Sequence, residues 1–279
     1  MNRVAIATCL GAIDPDGPLL LAALVAEGVH ADAAVWDDPS VDWDRYDLVV
    51  IRSTWDYSQR RGEFLTWAKA IKHLANPYGV VEYSTDKHYL ADLEGHGLKI
   101  VPSHFCNVGK KPRFFDHDFV VKPCVGAGSM DAARYHADEH DQALAHVKAL
   151  HAAGRDALIQ PYVDSVDTLG ERALIFIDGA FSHALTKGPM LNVTELDRSQ
   201  LFRRDQMSEA IGEPDAIRYG ESVLTAKGFN HLLYARVDLV KIDDHWAIME
   251  LELVEPSLFL TFEEGAATSL ARAVAKRVH

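Results

Sequence analysis

Cysteine is scarce in this chain: Cys9, Cys106 and Cys124 are the three cysteines in 279 residues. An odd number without metal-ligand spacing argues against a disulfide framework and for a reducing cytoplasm. Long apolar runs are lacking as well, and none approaches the roughly 18 residues that span a bilayer. Met1 to Thr8 has no basic stretch ahead of a long apolar one, so it reads as a first strand rather than an export signal. Positive charge is short: 28 Lys and Arg against 41 Asp and Glu leave a formal −13, which repels a phosphate backbone. The densest basic cluster, Lys110, Lys111 and Arg113, reads as a solvated loop. Neither nucleic acid nor a membrane is therefore an expected partner. Walker A and G-x-G-x-x-G sequences are missing too, so a nucleotide would not be held by a P-loop or a Rossmann turn.

What is present is a globular composition, 48% apolar and 25% charged, on a chain long enough for two or three lobes. The first eighty residues alternate strands (Val4 to Thr8, Ala31 to Val35, Leu48 to Ile51) with helices (Pro18 to Glu27, Glu63 to Leu74). That alternation predicts a parallel sheet flanked by helices, with ligands at the C-terminal strand ends. Arg52-Ser53-Thr54-Trp55-Asp56-Tyr57 follows the third strand directly. After Asp86-Lys87 the chain carries strands at Phe119 to Lys122, Ala132 to His136 and Ala157 to Gln160, with a helix from Asp141 to Ala152. Beyond it, Asp178-Gly179 and Asp243-Asp244 each join two strands as hairpins by their turn chemistry. Asn192 to Glu213 is polar and reads as a mobile loop. Helices follow near Pro214 to Ala226 and at Glu264 to Val278. The expected division is an N-terminal α/β domain over 1–84, a small lobe over 85–160 and a larger strand-rich lobe over 161–279.

Chemistry concentrates at a few positions. In a strand, residues two apart share a face, so Glu250 and Glu252 point together, and Asp238 on the preceding strand can face them. Such a set is either a solvated acidic face or a site for Mg²⁺ or Mn²⁺, which favour oxygen donors. The apolar company of Leu251, Leu253, Val254, Leu258 and Phe259 favours the metal site. Lys87 and Lys122 stand beside apolar segments, either as snorkelling surface lysines or as partners of a triphosphate. The turn Gly126-Ala127-Gly128-Ser129, just after Lys122, could offer backbone N–H groups to phosphates. His183 lies on an apolar strand and reads as a core histidine. Ser182 has no base partner nearby in sequence, so a serine hydrolase has no support.

Taken in order, Lys87, Lys122 with its glycine turn, Gln160-Pro161-Tyr162-Val163, Gly170-Glu171, Arg236-Val237-Asp238 and Glu250-Leu251-Glu252 resemble the ATP-grasp superfamily over nearly the whole chain. The resemblance implies an ATP-grasp fold behind a parallel-sheet domain, as in glutathione synthetase, with ATP and Mg²⁺ (or Mn²⁺) as cofactors. It places Lys87, Lys122, Gly126, Gly128 and Ser129 at the phosphates, and Gln160, Pro161, Tyr162 and Val163 around adenine. Glu171, with Asp167 as its rival, falls at the ribose. Lys187 and Arg236 become the catalytic cations at the transferring phosphoryl group, and Asp238, Glu250 and Glu252 the metal ligands. One departure stands out: the family's last pair is usually Glu-x-Asn, and here its second member is Glu252. The spacing from Glu250 to Pro256 is like that of bacterial glutathione synthetases.

Four phrases look like the group containing the O-ureidoserine cyclo-ligase of D-cycloserine biosynthesis. They are Arg52 to Tyr57, Asp86-Lys87-His88-Tyr89-Leu90, Phe181-Ser182-His183-Ala184 and Glu250 to Phe259. The implied reaction phosphorylates the carboxylate of O-ureido-D-serine with ATP and closes the ring through the ureido nitrogen, releasing ADP, phosphate, carbon dioxide and ammonia. An amino-acid substrate needs a carboxylate clamp and an ammonium partner. Arg52 and Asp56 are the candidates, with Ser53 beside them and Trp55 and Tyr57 as walls; the alternative for this hexapeptide is a capped turn. An intermolecular carboxylate–amine ligase would use the same nucleotide site, and a nucleotide-binding regulatory protein is the non-enzymatic alternative. The sequence leaves a homodimer open.

Overall fold

The computed structural model describes residues 2–189, 207–210 and 212–278. In chain order the elements are β1 (Arg3–Thr8), α1 (Gly17–Ala26), β2 (His30–Val35), β3 (Leu48–Ser53), α2 (Arg61–Ala70), α3 (Tyr78–Ser84), α4 (Tyr89–Gly95), β4 (His104–Cys106), β5 (Phe119–Pro123), β6 (Ala133–Tyr135) and α5 (His140–Ala152). Then come β7 (Ala157–Pro161), α6 (Ser165–Thr168), β8 (Glu171–Ile177), β9 (Ala180–Lys187), β10 (Met207–Ala210), α7 (Pro214–Ala226), β11 (Tyr234–Ile242), β12 (His245–Glu252) and α8 (Ala266–Val278).

Three sheets result, in the orders β2-β1-β3, β4-β7-β5-β6 and β10-β9-β8-β11-β12. The first is parallel, as strand–helix alternation requires. The other two are antiparallel. Both hairpins of the large sheet turn through residues in the left-handed region: Asp178 and Gly179 at φ 52° and 78°, Asp243 and Asp244 at φ 46° and 63°. Aspartate and glycine are the residues that accept this conformation.

The first and last sheets share one core. Ile6, Leu24 and Val50 meet Ile175, Leu185, Leu270 and Val274 in a single buried cluster, so α8 closes over the N-terminal sheet. Buried polar groups tie the same seam. The Asn76 amide donates to the Tyr234 and Leu253 carbonyls at 2.9 and 2.7 Å and accepts from Leu233 N at 3.0 Å. The Tyr234 hydroxyl lies 2.6 Å from the Ile51 carbonyl and 2.7 Å from that of Val254. With every polar atom answered, these links cost little desolvation and fix one register between the sheets.

Two expected elements differ. The helix over Glu63 to Leu74 ends at Ala70, because the next residues run beside β3: Val49 N donates to His73 O and Ala75 N to Val49 O. Within the expected loop over Asn192 to Glu213, Met207–Ala210 forms an edge strand on β9, while residues 192–206 and 211 lie outside the described residues. No described helix is long and apolar enough to cross a membrane.

Candidate active site

A cleft with a cavity volume of about 210 Å³ opens between the small antiparallel sheet, the large one and the turn after β3. Its floor is set by strand register. Arg236 pairs with Glu252 and Asp238 with Glu250 across β11 and β12, so the period-two rule puts all four side chains on one face as a two-by-two patch. Register slips beside Asp238, where Glu250 and Ile248 oppose consecutive residues and Met249 is the extra one. Such a bulge re-aims neighbouring side chains.

β12 is the outer strand of the sheet, yet its edge is answered by side chains. Leu251 N donates to the Tyr89 hydroxyl at 2.8 Å, the Ser84 hydroxyl donates to Leu251 O at 3.0 Å, and Leu253 N donates to Ser84 Oγ at 3.1 Å. This locks the strand that carries Glu250 and Glu252.

The three carboxylates Asp238, Glu250 and Glu252 have oxygens within 4.8 Å of one another. Asp238 is fully buried. Its carboxylate takes Arg236 Nε at 2.9 Å and Lys187 Nζ at 2.8 Å. Burial alone would raise its pKa, but Arg236 and Lys187 outweigh that and hold it below the usual range. Glu250 takes Lys122 Nζ from β5 at 2.8 Å, with Lys87 Nζ at 3.8 Å. Burial opposes its charge, and the two lysines overcome this and keep it well below the usual carboxylate value. Glu252 accepts from Arg236; burial raises it despite that partner.

Glu171 pairs with Lys187 directly across β8 and β9. The glycine before it is required: Gly170 has φ 72°, and a Cβ there would stand 2.9 Å from the Lys187 carbonyl oxygen. Burial and the nearby Asp238 raise Glu171, with Lys187 opposing. Among the acids expected near a ribose, Glu171 lines the cleft, whereas Asp167 bonds the Tyr162 hydroxyl and faces Arg134.

The turn after Lys122 also borders the cleft, with Gly126, Gly128 and Ser129 all lining it. Gly128 and Ser129 have φ 59° and 58°, and the Gly126 carbonyl accepts from Lys87 Nζ at 3.1 Å. Gln160, Pro161, Tyr162 and Val163 form a wall where β7 leaves the small sheet. The Gln160 amide is spent on Ser103 Oγ at 3.0 Å, which leaves that segment's backbone and apolar faces for a ligand.

The hexapeptide after β3 is divided. Trp55 and Tyr57 line the cleft; Arg52, Ser53 and Asp56 do not. Arg52 is 2% exposed and donates to the Pro256 carbonyl at 2.8 Å, with Asp16 at 3.7 Å and the Tyr234 ring beneath it. Asp56 takes Trp36 Nε1 at 2.9 Å and Arg60 Nη2 at 2.5 Å. Ser53 Oγ meets Thr8 Oγ1 at 2.8 Å. The expected carboxylate–ammonium clamp from Arg52 and Asp56 is therefore not assembled, because both charges are consumed by the scaffold. His183 is a satisfied core histidine, bonded to Leu258 O at 2.9 Å and Ser182 Oγ at 2.9 Å. His136 and His140, spaced like helical metal ligands, go separately to Asp118 and the Phe115 carbonyl.

Sequence reasoning missed Glu255, a cleft residue only 8% exposed. Burial and then Glu252 push its carboxyl up to about 8, with the neighbouring Tyr57 phenol opposing. The signal was available: an acid inside the apolar run that already made Glu250 and Glu252 conspicuous. Cys124, with Asp86 and His88, forms a second close group beside Lys87. Its His88 Nδ1 is already held by Asp86 at 2.6 Å.

Residues 4–76 match the family described as the D-cycloserine synthetase DcsG N-terminal domain. The cycloserine biosynthesis protein DcsG of Streptomyces lavendulae is 38% identical over 286 residues, covering 95% of each chain. The crystal structure of D-cycloserine synthetase DcsG superposes with a TM-score of 0.89 at 34% identity over the whole of both chains. A D-alanine–D-alanine ligase from Bacillus anthracis shares the fold at 12% identity, with a TM-score of 0.70 over 100% of this chain and 97% of that one. Sequence and fold agree: the chain belongs to the DcsG family of D-cycloserine synthetases, ligases built on the ATP-grasp fold.

Proposed function

We propose that the protein uses ATP and Mg²⁺ to convert O-ureido-D-serine to D-cycloserine. The carboxylate attacks the γ-phosphoryl group, giving an acyl phosphate and ADP. The oxygen-bound ureido nitrogen then attacks the acyl carbon and phosphate leaves. Transfer of the carbamoyl group to water releases carbon dioxide and ammonia.

The observation that carries this reading is the meeting of Lys122 and Lys87 on Glu250, two cations arriving from outside the large sheet at one carboxylate in an open cleft. Phosphoryl transfer asks a protein for positioning and charge neutralisation more than for a nucleophile. Lys87, Lys122 and the Gly126–Ser129 turn would take phosphates, Gln160 to Val163 adenine and Glu171 ribose. Lys187 and Arg236 would neutralise the transferring group. Asp238, Glu250 and Glu252 suit Mg²⁺, a hard cation that favours an all-oxygen donor set; Mn²⁺ fits the same donors. When bound, the ion would neutralise developing phosphate charge. In this reading 1–84 is the substrate-side domain, 85–160 the small lobe with its glycine-rich lid, and 161–279 the lobe with the metal site.

ADP release in a coupled assay tests the reading. It is expected with O-ureidoserine as sole carboxylate, whereas ADP release that requires a second amine would assign an intermolecular ligase. Lys122→Ala should weaken ATP binding about tenfold, ~1.4 kcal/mol, measured by calorimetry. An affinity within about twofold of wild type would return Lys122 to the scaffold.

A further inference from the structure

We infer that Glu255, steadied by Tyr57, is the subsite that receives the α-ammonium group of the substrate. The inference rests on the proposed reading of the protein as a ligase for an amino-acid-like carboxylate. Every other acid lining the cleft, and Asp238 buried beneath it, already has a cation. Asp238 has Lys187 and Arg236, Glu250 has Lys122 and Lys87, Glu252 has Arg236, and Glu171 has Lys187. Glu255 is more than nine-tenths buried; among the described residues no basic side chain pairs with it at ion-pair distance, Lys87 and Arg236 acting on it only from farther off and the Tyr57 phenol standing beside it. A buried carboxyl without a cation in direct contact is costly, and a ligand that brings an ammonium into hydrogen-bond reach would relieve that cost.

Its placement is rigid. Trp55 Nε1 donates to the Glu255 carbonyl at 3.3 Å, Arg52 to that of Pro256 at 2.8 Å and Arg236 to that of Ser257 at 3.1 Å. The segment is thus pinned from the N-terminal sheet and from the large sheet at once. The aromatic walls Trp55 and Tyr57 stand on the side of the N-terminal domain, and Arg236 and Glu252 on the other. An amino acid whose ammonium met Glu255 would hold its carboxylate a few bonds away, within the same cleft as Arg236 and the carboxylate patch. This also supplies the ammonium partner that Asp56, held by Trp36 and Arg60, cannot be.

The test compares O-ureidoserine with the same ureidooxy acid carrying hydrogen in place of the α-amino group, by ADP release at saturating MgATP. Wild type should prefer the amino compound at least tenfold in kcat/KM. Glu255→Gln should lose most of that preference, chiefly through KM, with its apparent affinity for ATP unchanged. Glu255→Asp, which keeps the charge, should retain part of the preference. If Glu255→Gln folds poorly, Tyr57→Phe tests the same subsite by a several-fold rise in KM for the amino compound alone. A preference that survives Glu255→Gln and Tyr57→Phe overturns the subsite and leaves the proposed reaction standing. Wild-type enzyme that turns over neither compound overturns both.

Discussion

Glu250→Gln is expected to lower kcat about a thousandfold, ~4 kcal/mol, with partial recovery at raised Mg²⁺. Glutamine keeps the shape but not the charge, and an amide is the poorer ligand for a hard cation. The substitution also leaves Lys122 and Lys87 without the carboxylate they share. Two unneutralised ammonium groups should attract a triphosphate as well as before, so ATP affinity should hold or tighten while turnover collapses. A rate and a Mg²⁺ dependence both equal to wild type would remove Glu250 from the metal site.

Arg52→Met should be strongly destabilising, and its effect should fall on stability rather than on substrate binding. The guanidinium binds Pro256 O, neighbours Asp16 and lies over Tyr234. Asp16 in turn accepts from Leu258 N at 3.2 Å and Leu260 N at 2.8 Å. Burial already raises the Asp16 carboxyl, and Arg52 is the largest influence holding it down. Removing one partner of a buried pair typically costs about 3–5 kcal/mol, which for a chain of this size lowers Tm by on the order of 10 °C. Thermal unfolding by circular dichroism reads this directly. An unchanged Tm with a lost response to the amino-acid substrate would instead put Arg52 in contact with ligand.

The contrast between Arg52 and Glu250 shows where sequence reasoning reaches and where it stops. Glu250, Glu252 and Asp238 were legible because strand periodicity and one hairpin fix their common face, and both are local properties. The lysines and the glycine turn were legible as an ordered series. Arg52 was misplaced because its partners are Asp16 and Pro256, and nothing local to Arg52-Ser53-Thr54 reveals a buried contact made 204 residues away. Asp56 was misplaced partly for a related reason, since Trp36 claims it only once β2 lies beside β1; its pairing with Arg60 four residues on is local and could have been read. Glu255 was overlooked because it lies past the end of β12, where the period-two rule no longer assigns a face. The edge strand Met207–Ala210 was read as loop because MSEA alone carries no clear alternation; pairing with Lys187 to Ala184 makes it a strand.

The measurement that bears most directly on the central claim follows oxygen. O-ureidoserine labelled with ¹⁸O in both carboxylate positions is turned over with ATP, and the phosphate and organic product are weighed by mass spectrometry. Activation as an acyl phosphate predicts one ¹⁸O atom in each phosphate released and one retained in the carbonyl of a cyclised product. Phosphate free of label, or a product that retains both labelled oxygens, would contradict it.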